Sequence, residues 1–212
     1  MKVSSIFAIL VLCLALPLAL SAQEANPIKL PAPQTSSGMP LMQALKERKS
    51  TRAFSEREIP LQVLSDLLWA ADGINRPASA GRTAPSAHNA QEIDIYVLKA
   101  EGIYLYDPQA NTLILVLAQD LRGSAGKQDF VKTAPLNLIF VADLSKSKGP
   151  DADFYAAADT GFISENVYLF CASVGLGTVV RGWVDKEPLS RAMKLRPDQK
   201  IIMAQTVGYP KE

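Results

Sequence analysis

Residues 136–141 read Leu-Asn-Leu-Ile-Phe-Val, an apolar run broken only by Asn137. Side chains alternate between the two faces of a strand, so a strand apolar at nearly every position must be covered on both sides. The run predicts a central strand with packed layers on either face. In residues 93–97, Ile93, Ile95 and Val97 alternate with Glu92, Asp94 and Tyr96, the period of a half-buried strand. Residues 104–106, the turn Asp107-Pro108 and residues 112–116 read as strand, turn and strand, and 178–180 and 201–207 as two further strands. Pro40 opens a short helix through Glu47, and Pro60 opens another with Leu61, Leu64, Leu67, Leu68 and Ala71 at helical spacing, closed by Asp72-Gly73. The longest helix covers 154–174 and ends at Gly175-Leu176-Gly177. Its Ala157, Ala158, Gly161 and Ala172 allow another helix to approach closely, in the core or at a subunit interface. Strands and helices interleave, so the class is mixed α and β.

At 212 residues, 48% hydrophobic and 20% charged, the chain is sized for one domain with a sizeable core. Its start is different. Lys2 precedes an apolar run over 6–20, and Ser21-Ala22-Gln23 offers small residues for cleavage, so 1–22 reads as a signal peptide and the protein as exported, with the periplasm its destination. The run is short for a membrane span and no cationic stop follows it, so no span is expected after removal. Cys13 follows the bulky Leu12, against a lipoprotein site. Losing Lys2 with the leader leaves as many basic as acidic side chains, which gives no basis for nucleic-acid binding. Only Cys171 remains, so no internal disulfide can form, and its apolar context reads as a small buried hydrophobe. One histidine, His88, and one cysteine exclude the usual zinc ligand sets, and no nucleophile elbow accompanies His88. Residues 23–38, with Pro27, Pro31, Pro33 and Ser36-Ser37-Gly38, form an extended arm ahead of a domain at 39–212.

Two short stretches concentrate the chemistry. Arg48, Lys49, Ser50 and Arg52 place three cations and a hydroxyl within five residues, and in an extended segment Arg48, Ser50 and Arg52 share one face. That set suits a phosphate ester, or equally a solvated charge cluster at a helix end. The second stretch, Pro85-Ser86-Ala87-His88-Asn89-Ala90-Gln91, closes a segment from Asn75 that lacks apolar periodicity and reads as a long functional loop.

Taken in order, four segments resemble the nitroreductase superfamily of flavin mononucleotide (FMN) enzymes, over roughly residues 39–210. Arg48, Ser50, Arg52 and Phe54 match an Arg-x-Ser-x-Arg/Lys-x-Phe pattern, and Pro85, Ser86, Asn89 and Gln91 match Pro-Ser-x-x-Asn-x-Gln. The long helix running into Gly175-Leu176-Gly177-Thr178, and the close at Val207-Gly208-Tyr209-Pro210, complete the set. Gly102-Ile103-Tyr104-Leu105-Tyr106-Asp107-Pro108 further resembles the branch that oxidises azoline rings during peptide maturation. That branch would place a Lys-Tyr pair before the long helix; here Lys146 and Lys148 are not followed by tyrosine, and Tyr155 is the nearest one.

The resemblance implies an α+β fold with a mostly antiparallel central sheet flanked by helices, and an FMN site shared between two intertwined subunits of a homodimer. It implies that Arg48 contacts the phosphate with Ser50 beside it, that Lys49 or Lys211 adds a further cation, and that Arg52 reaches the pyrimidine end of the isoalloxazine. Asn89 suits the flavin N3–H and an adjacent carbonyl, Gln91 assists or pins the loop, and Ser86 contacts the ribityl chain or ring. Val180, Arg181 and Gly182 lay backbone across the ring near N5; the Arg181 side chain faces a substrate carboxylate or the solvent. His88 structures the loop rim or transfers a proton. Trp69 and Trp183 are core or interface residues. No catalytic acid or base is implied, because the flavin carries the redox step. The expected activity is two-electron transfer to or from a small organic substrate, with NAD(P)H, a quinone or a redox protein as donor. The alternative is a flavin-binding carrier or sensor without turnover.

Overall fold

The computed structural model describes residues 27–147 and 149–211, so the leader and the first residues of the arm lie outside the described residues. The chain runs through β1 (Ile28–Lys29), α1 (Leu41–Glu47), α2 (Leu61–Asp72), β2 (Ile74–Arg76), β3 (Gly81–Arg82), β4 (Ile93–Lys99), β5 (Gly102–Asp107) and β6 (Thr112–Leu117). It continues with α3 (Phe130–Thr133), β7 (Leu136–Asp143), α4 (Ala152–Val174), β8 (Gly177–Arg181), α5 (Lys186–Ala192) and β9 (Gln199–Gly208). The fold is α+β, as the resemblance implies. Seven strands form one sheet in the order β1-β6-β5-β4-β7-β9-β8, antiparallel at every pairing, and β2–β3 is a separate hairpin inside the segment expected to be a plain loop.

All of β7 is buried, as its apolar run requires. Leu138 and Phe140 point to the layer formed by α2 and α4, where Leu64, Leu67, Leu68, Ile163 and Val167 meet them. Ile139 and Val141 point the other way, onto Leu189 and Met193 around α5 and onto Val131 of α3. The same two layers correct the expectation for β4. Ile93, Ile95 and Val97 face the first layer, but Tyr96 and Leu98 are buried in the second, so β4 is covered on both faces. Its neighbours β5 and β7 enclose it, and Asp94 alone keeps the polar character that suggested a solvated face.

Helix α4 buries Ala156, Asp159, Thr160, Ile163, Ser164, Val167, Tyr168 and Cys171, a stripe at helical spacing that carries several polar groups. Its outer side exposes Ala157, Gly161, Phe154 and Phe162, with Phe154 71% exposed. Gly175, in the left-handed conformation at φ 76°, caps the helix. The described part of the arm is extended and laced onto the domain. β1 pairs with β6, Leu30 is buried, Pro31 O accepts the hydroxyl of Ser65, and Gln34 N–H donates to Asp66 Oδ1. Cys171 is buried, and burial pushes its thiol up. Among the described residues no helix is long and apolar enough to cross a membrane.

Candidate functional site

The strip 48–54 is held by its backbone. Thr51 N–H donates to Thr178 O at 2.9 Å, and Ser50 bridges Thr178 in parallel register. Gly177 makes this approach possible, because a Cβ there would lie 2.8 Å from Thr51 Cγ2. Beyond the strip, Ser55 N–H donates to Tyr209 O and Lys211 N–H to Ala53 O, which places Lys211 beside the same segment. With the backbone engaged, the side chains are left outward. Lys49, Ser50, Arg52 and Lys211 are exposed, and Arg48 stands 5.3 Å from the centre of the Tyr168 ring. Among the described residues none of these four cations forms an ion pair.

Tyr168 organises the hydroxyl of the strip. Its OH accepts the Val180 N–H at 3.0 Å and lies 2.9 Å from Ser50 Oγ. When Tyr168 donates to Ser50, the Ser50 proton is free to point outward, away from the protein. A buried tyrosine needs such a partner.

The loop 85–91 is built the opposite way. His88, Asn89 and Gln91 all adopt positive φ, at 54°, 53° and 49°. Such non-glycine conformations persist only when surrounding contacts over-determine them. Here the contacts come from the loop itself, from the β2–β3 hairpin and from α4. Ala87 N–H donates to Asp159 Oδ2 at 2.8 Å, and Gln91 N–H to Ser86 Oγ at 3.0 Å. The Gln91 amide donates to Ala80 O and Asn89 Oδ1 and accepts from Arg82 Nε. Gln91 therefore pins the loop to the β2–β3 hairpin, and the Ser86 hydroxyl works within the loop. Asn89 and His88 remain exposed, with the His88 ring edge-on to Tyr155 at 5.8 Å.

Behind the loop lies a cluster of carboxyls. Glu92 is 1% exposed, and neither carboxylate oxygen has a donor among the described residues. Burial and then the neighbouring Asp159 push its carboxyl up, so the two acids cannot both ionise cheaply. Asp72 is pushed up to about 7 by burial, which outweighs the Arg82 guanidinium 3.5 Å away. In front, a cavity of about 630 Å³ is lined by His88, Asn89, Glu92, Lys146 and Tyr155. Lys146 and Tyr155, unpaired in sequence, thus face one space.

β8 carries the third part of the site. Val180 is tied to Tyr168, and a Cβ on Gly182 would meet nothing within 4 Å. Arg181 overturns both expectations for its side chain. It is 5% exposed and turned inward, donating to Ala125 O, Asn137 Oδ1 and Thr206 Oγ1. Strand alternation sends it into the core between Val180 and the exposed Gly182. Trp183, at 62% exposed, is not a core residue, and Trp69 is half-buried with its Nε1–H on Ile74 O.

One element unites strip and loop. Asp159 anchors the loop and Tyr168 the strip, and both stand on the buried face of α4, about 13 Å apart along its axis.

With this architecture in view, a nitroreductase family model matches residues 45–209. The chain belongs to the nitroreductase family. It is 46% identical to a candidate nitroreductase of Ralstonia eutropha JMP134, whose crystal structure superposes with a TM-score of 0.84 over 90% of this chain and 92% of that one. A candidate nitroreductase of Methanocaldococcus jannaschii is 29% identical over 77% of this chain and 88% of its own. A chain of the Escherichia coli microcin synthetase McbBCD complex shares the fold at 19% identity, with a TM-score of 0.70 over 95% of this chain and 85% of that one. Family membership makes the chain an oxidoreductase of a type that typically uses a flavin.

The donor set fits a phosphorylated flavin: unpaired cations at 48, 49, 52 and 211, a hydroxyl steered by Tyr168, and open space at Gly182. Sequence reasoning missed Tyr168, Asp159, Glu92 and Arg82. The polar residues at buried helical spacing in α4, Asp159 and Tyr168 among them, were the available signal for two of these. The Tyr106 phenol is pushed up by burial, and Asp120 and Asp143 are held low, Asp120 chiefly by hydrogen bonding to Arg122 and Asp143 by Ser145 and Arg196 against its own desolvation. These groups stand outside the site.

Proposed function

We propose that the protein is an exported FMN-dependent oxidoreductase that moves two electrons to or from a small organic substrate. The observation that carries this reading is the strip of unpaired cations around Ser50, with its hydroxyl steered by Tyr168. Arg48, Lys49 and Lys211 would hold the phosphate, Arg52 and Asn89 the pyrimidine end, and the backbone of Val180 to Gly182 the ring. When bound, FMN would supply the two-electron redox centre. The protein's part is to bind and orient it, to set its potential with fixed cations, and to admit substrate. The cavity beside His88, Lys146 and Tyr155 falls in the size range of small-molecule sites, which favours turnover over a carrier without turnover.

The active form is proposed to be a homodimer. On α1, Leu41, Met42 and Leu45 are exposed, Met42 at 76%, and the outer side of α4 adds Phe154 and Phe162. Large apolar side chains left exposed on these two helices suit a partner surface. The leader at 1–22 directs the protein to the periplasm, where soluble nicotinamide donors are scarce, so a quinone or a redox protein is the proposed donor.

The test is an absorption spectrum of residues 23–212 after loading with FMN, beside Arg52→Ala. Bands of oxidised flavin in the parent, with a lower potential or lost colour in the variant, are expected. A colourless parent overturns the reading. Slow turnover with NADH or NADPH, beside facile reduction by dithionite, is the result expected for donor choice.

A further inference from the structure

We infer that Arg181 is an electrostatic residue of the flavin site: a buried cation without a counter-charge, set beneath β8 so that its field favours the reduced flavin. The inference rests on the FMN reading above. Every hydrogen bond of the guanidinium goes to a neutral acceptor: Ala125 O at 2.6 Å, Thr206 Oγ1 at 2.9 Å and Asn137 Oδ1 at 3.0 Å. Nε is buried with no acceptor, and among the described residues no carboxylate pairs with the group.

Burying a charge without a partner is costly, so a chain that needed only a clamp between strands would be better served by a neutral side chain. This chain instead builds a cage for the cation. Asn137 and Thr206 interrupt two adjacent interior strands, β7 and β9, at fully buried positions, and the Thr206 hydroxyl donates to Asn137 Oδ1 at 2.6 Å. Gly126 clears the last wall, since a Cβ there would lie 1.9 Å from Nη1 of Arg181. Its φ of 170° is ordinary extended backbone, so the space, not the conformation, is what the glycine provides.

The cage is placed beside the strip. Val180, the preceding residue, is joined through Tyr168 to Ser50, and Thr178 is paired with Ser50 and Thr51. Gly182, the following residue, borders open space. The guanidinium therefore lies on the inner side of the same backbone whose outer side is proposed to meet the ring. Uptake of two electrons and one proton converts neutral oxidised flavin to an anion, and a desolvated cation nearby stabilises that product with little screening by salt. Burial pushes the Arg181 guanidinium down to about 10, so it stays charged at neutral pH.

The experiment equilibrates FMN-loaded protein, residues 23–212, with dithionite and a reference dye. It compares the flavin potential in the parent, Arg181→Gln, Arg181→Lys and Asn137→Asp. Arg181→Gln is expected to disfavour the reduced form about tenfold, a fall of about 30 mV for a two-electron couple. Arg181→Lys, which keeps the charge but not the fork of hydrogen bonds, should stay near the parent. Asn137→Asp, close in shape, supplies the missing counter-charge and should lower the potential as Arg181→Gln does, which keeps the inference testable where Arg181→Gln does not fold. A purely structural role predicts equal effects of Lys and Gln, and that result, or a coloured Gln or Asp variant at the parent potential, overturns the inference alone. A colourless parent overturns the FMN reading and this inference with it.

Discussion

The strip 48–54 and the loop 85–91 are both conspicuous in the sequence, yet the protein builds them by opposite rules. In the strip the backbone is committed, to Thr178 and Lys211, and the charged side chains are left outward. In the loop Ser86 and Gln91 are spent on holding a left-handed backbone, and of its polar residues Asn89 and His88 are the exposed ones. A residue in a recognisable pattern can therefore serve the ligand or serve the shape that meets it, and its residue type does not say which. The two regions should also answer to different conditions. The strip is a surface array of charge and should respond to salt, whereas the loop leans on buried carboxyls and should respond to pH.

The largest expected effect is on the loop side. Asp72 holds its proton up to about pH 7 in the folded protein, while the unfolded chain releases it near the ordinary aspartate value of 3.8. Between those values the folded state binds more protons, so stability is fully present below the lower one and is lost as pH rises through about 7. The slope is at most about 1.4 kcal/mol per pH unit, and Glu92, also raised, adds in the same direction. Urea midpoints measured from pH 4 to 8 should fall in the parent and flatten in Asp72→Asn. An equal slope in both would remove pH from the contrast.

Next is the loop's anchor. Asp159→Ala removes a charge-assisted hydrogen bond worth about 1.5–3 kcal/mol and should speed amide exchange across 85–91 while leaving the strip protected. Uniform acceleration would show that strip and loop are one unit. A comparable effect on the other side is expected of Gly177→Ala, whose Cβ would press on Thr51 and displace the strip from β8 at a cost of about 1–3 kcal/mol. FMN affinity should fall with little change at the loop, read by the same exchange experiment. The smallest stability effect belongs to Arg48→Ala and Arg52→Ala, within about 0.5 kcal/mol, because among the described residues neither side chain bears an ion pair that holds the fold. Their effect on FMN binding should be large at low salt and shrink as salt rises. A salt-independent loss would place these cations in a buried role and erase the difference from Arg181.

The sequence by itself determined the local elements and the composition of the site. The apolar run of β7, the helical spacing of α2 and the glycine stop after α4 are set by contacts within a few residues, and each is found where its pattern places it. The cations of the strip were legible for the same reason, being adjacent in the chain. Burial of β4 on both faces was not, because the second layer over Tyr96 comes from α3 and α5, far along the chain. Nor was the division of labour within the site. Ser50 meets Tyr168 across 118 positions, Ala87 meets Asp159 across 72, and Arg181 meets Ala125 and Asn137 across 56 and 44. Propensity and periodicity act through neighbours in sequence, whereas the fate of a buried donor or charge depends on which acceptor the folded layers bring within about 3 Å. That is why Arg181, read as facing a ligand or solvent, lies inside the sheet, and why only the tertiary structure could decide it.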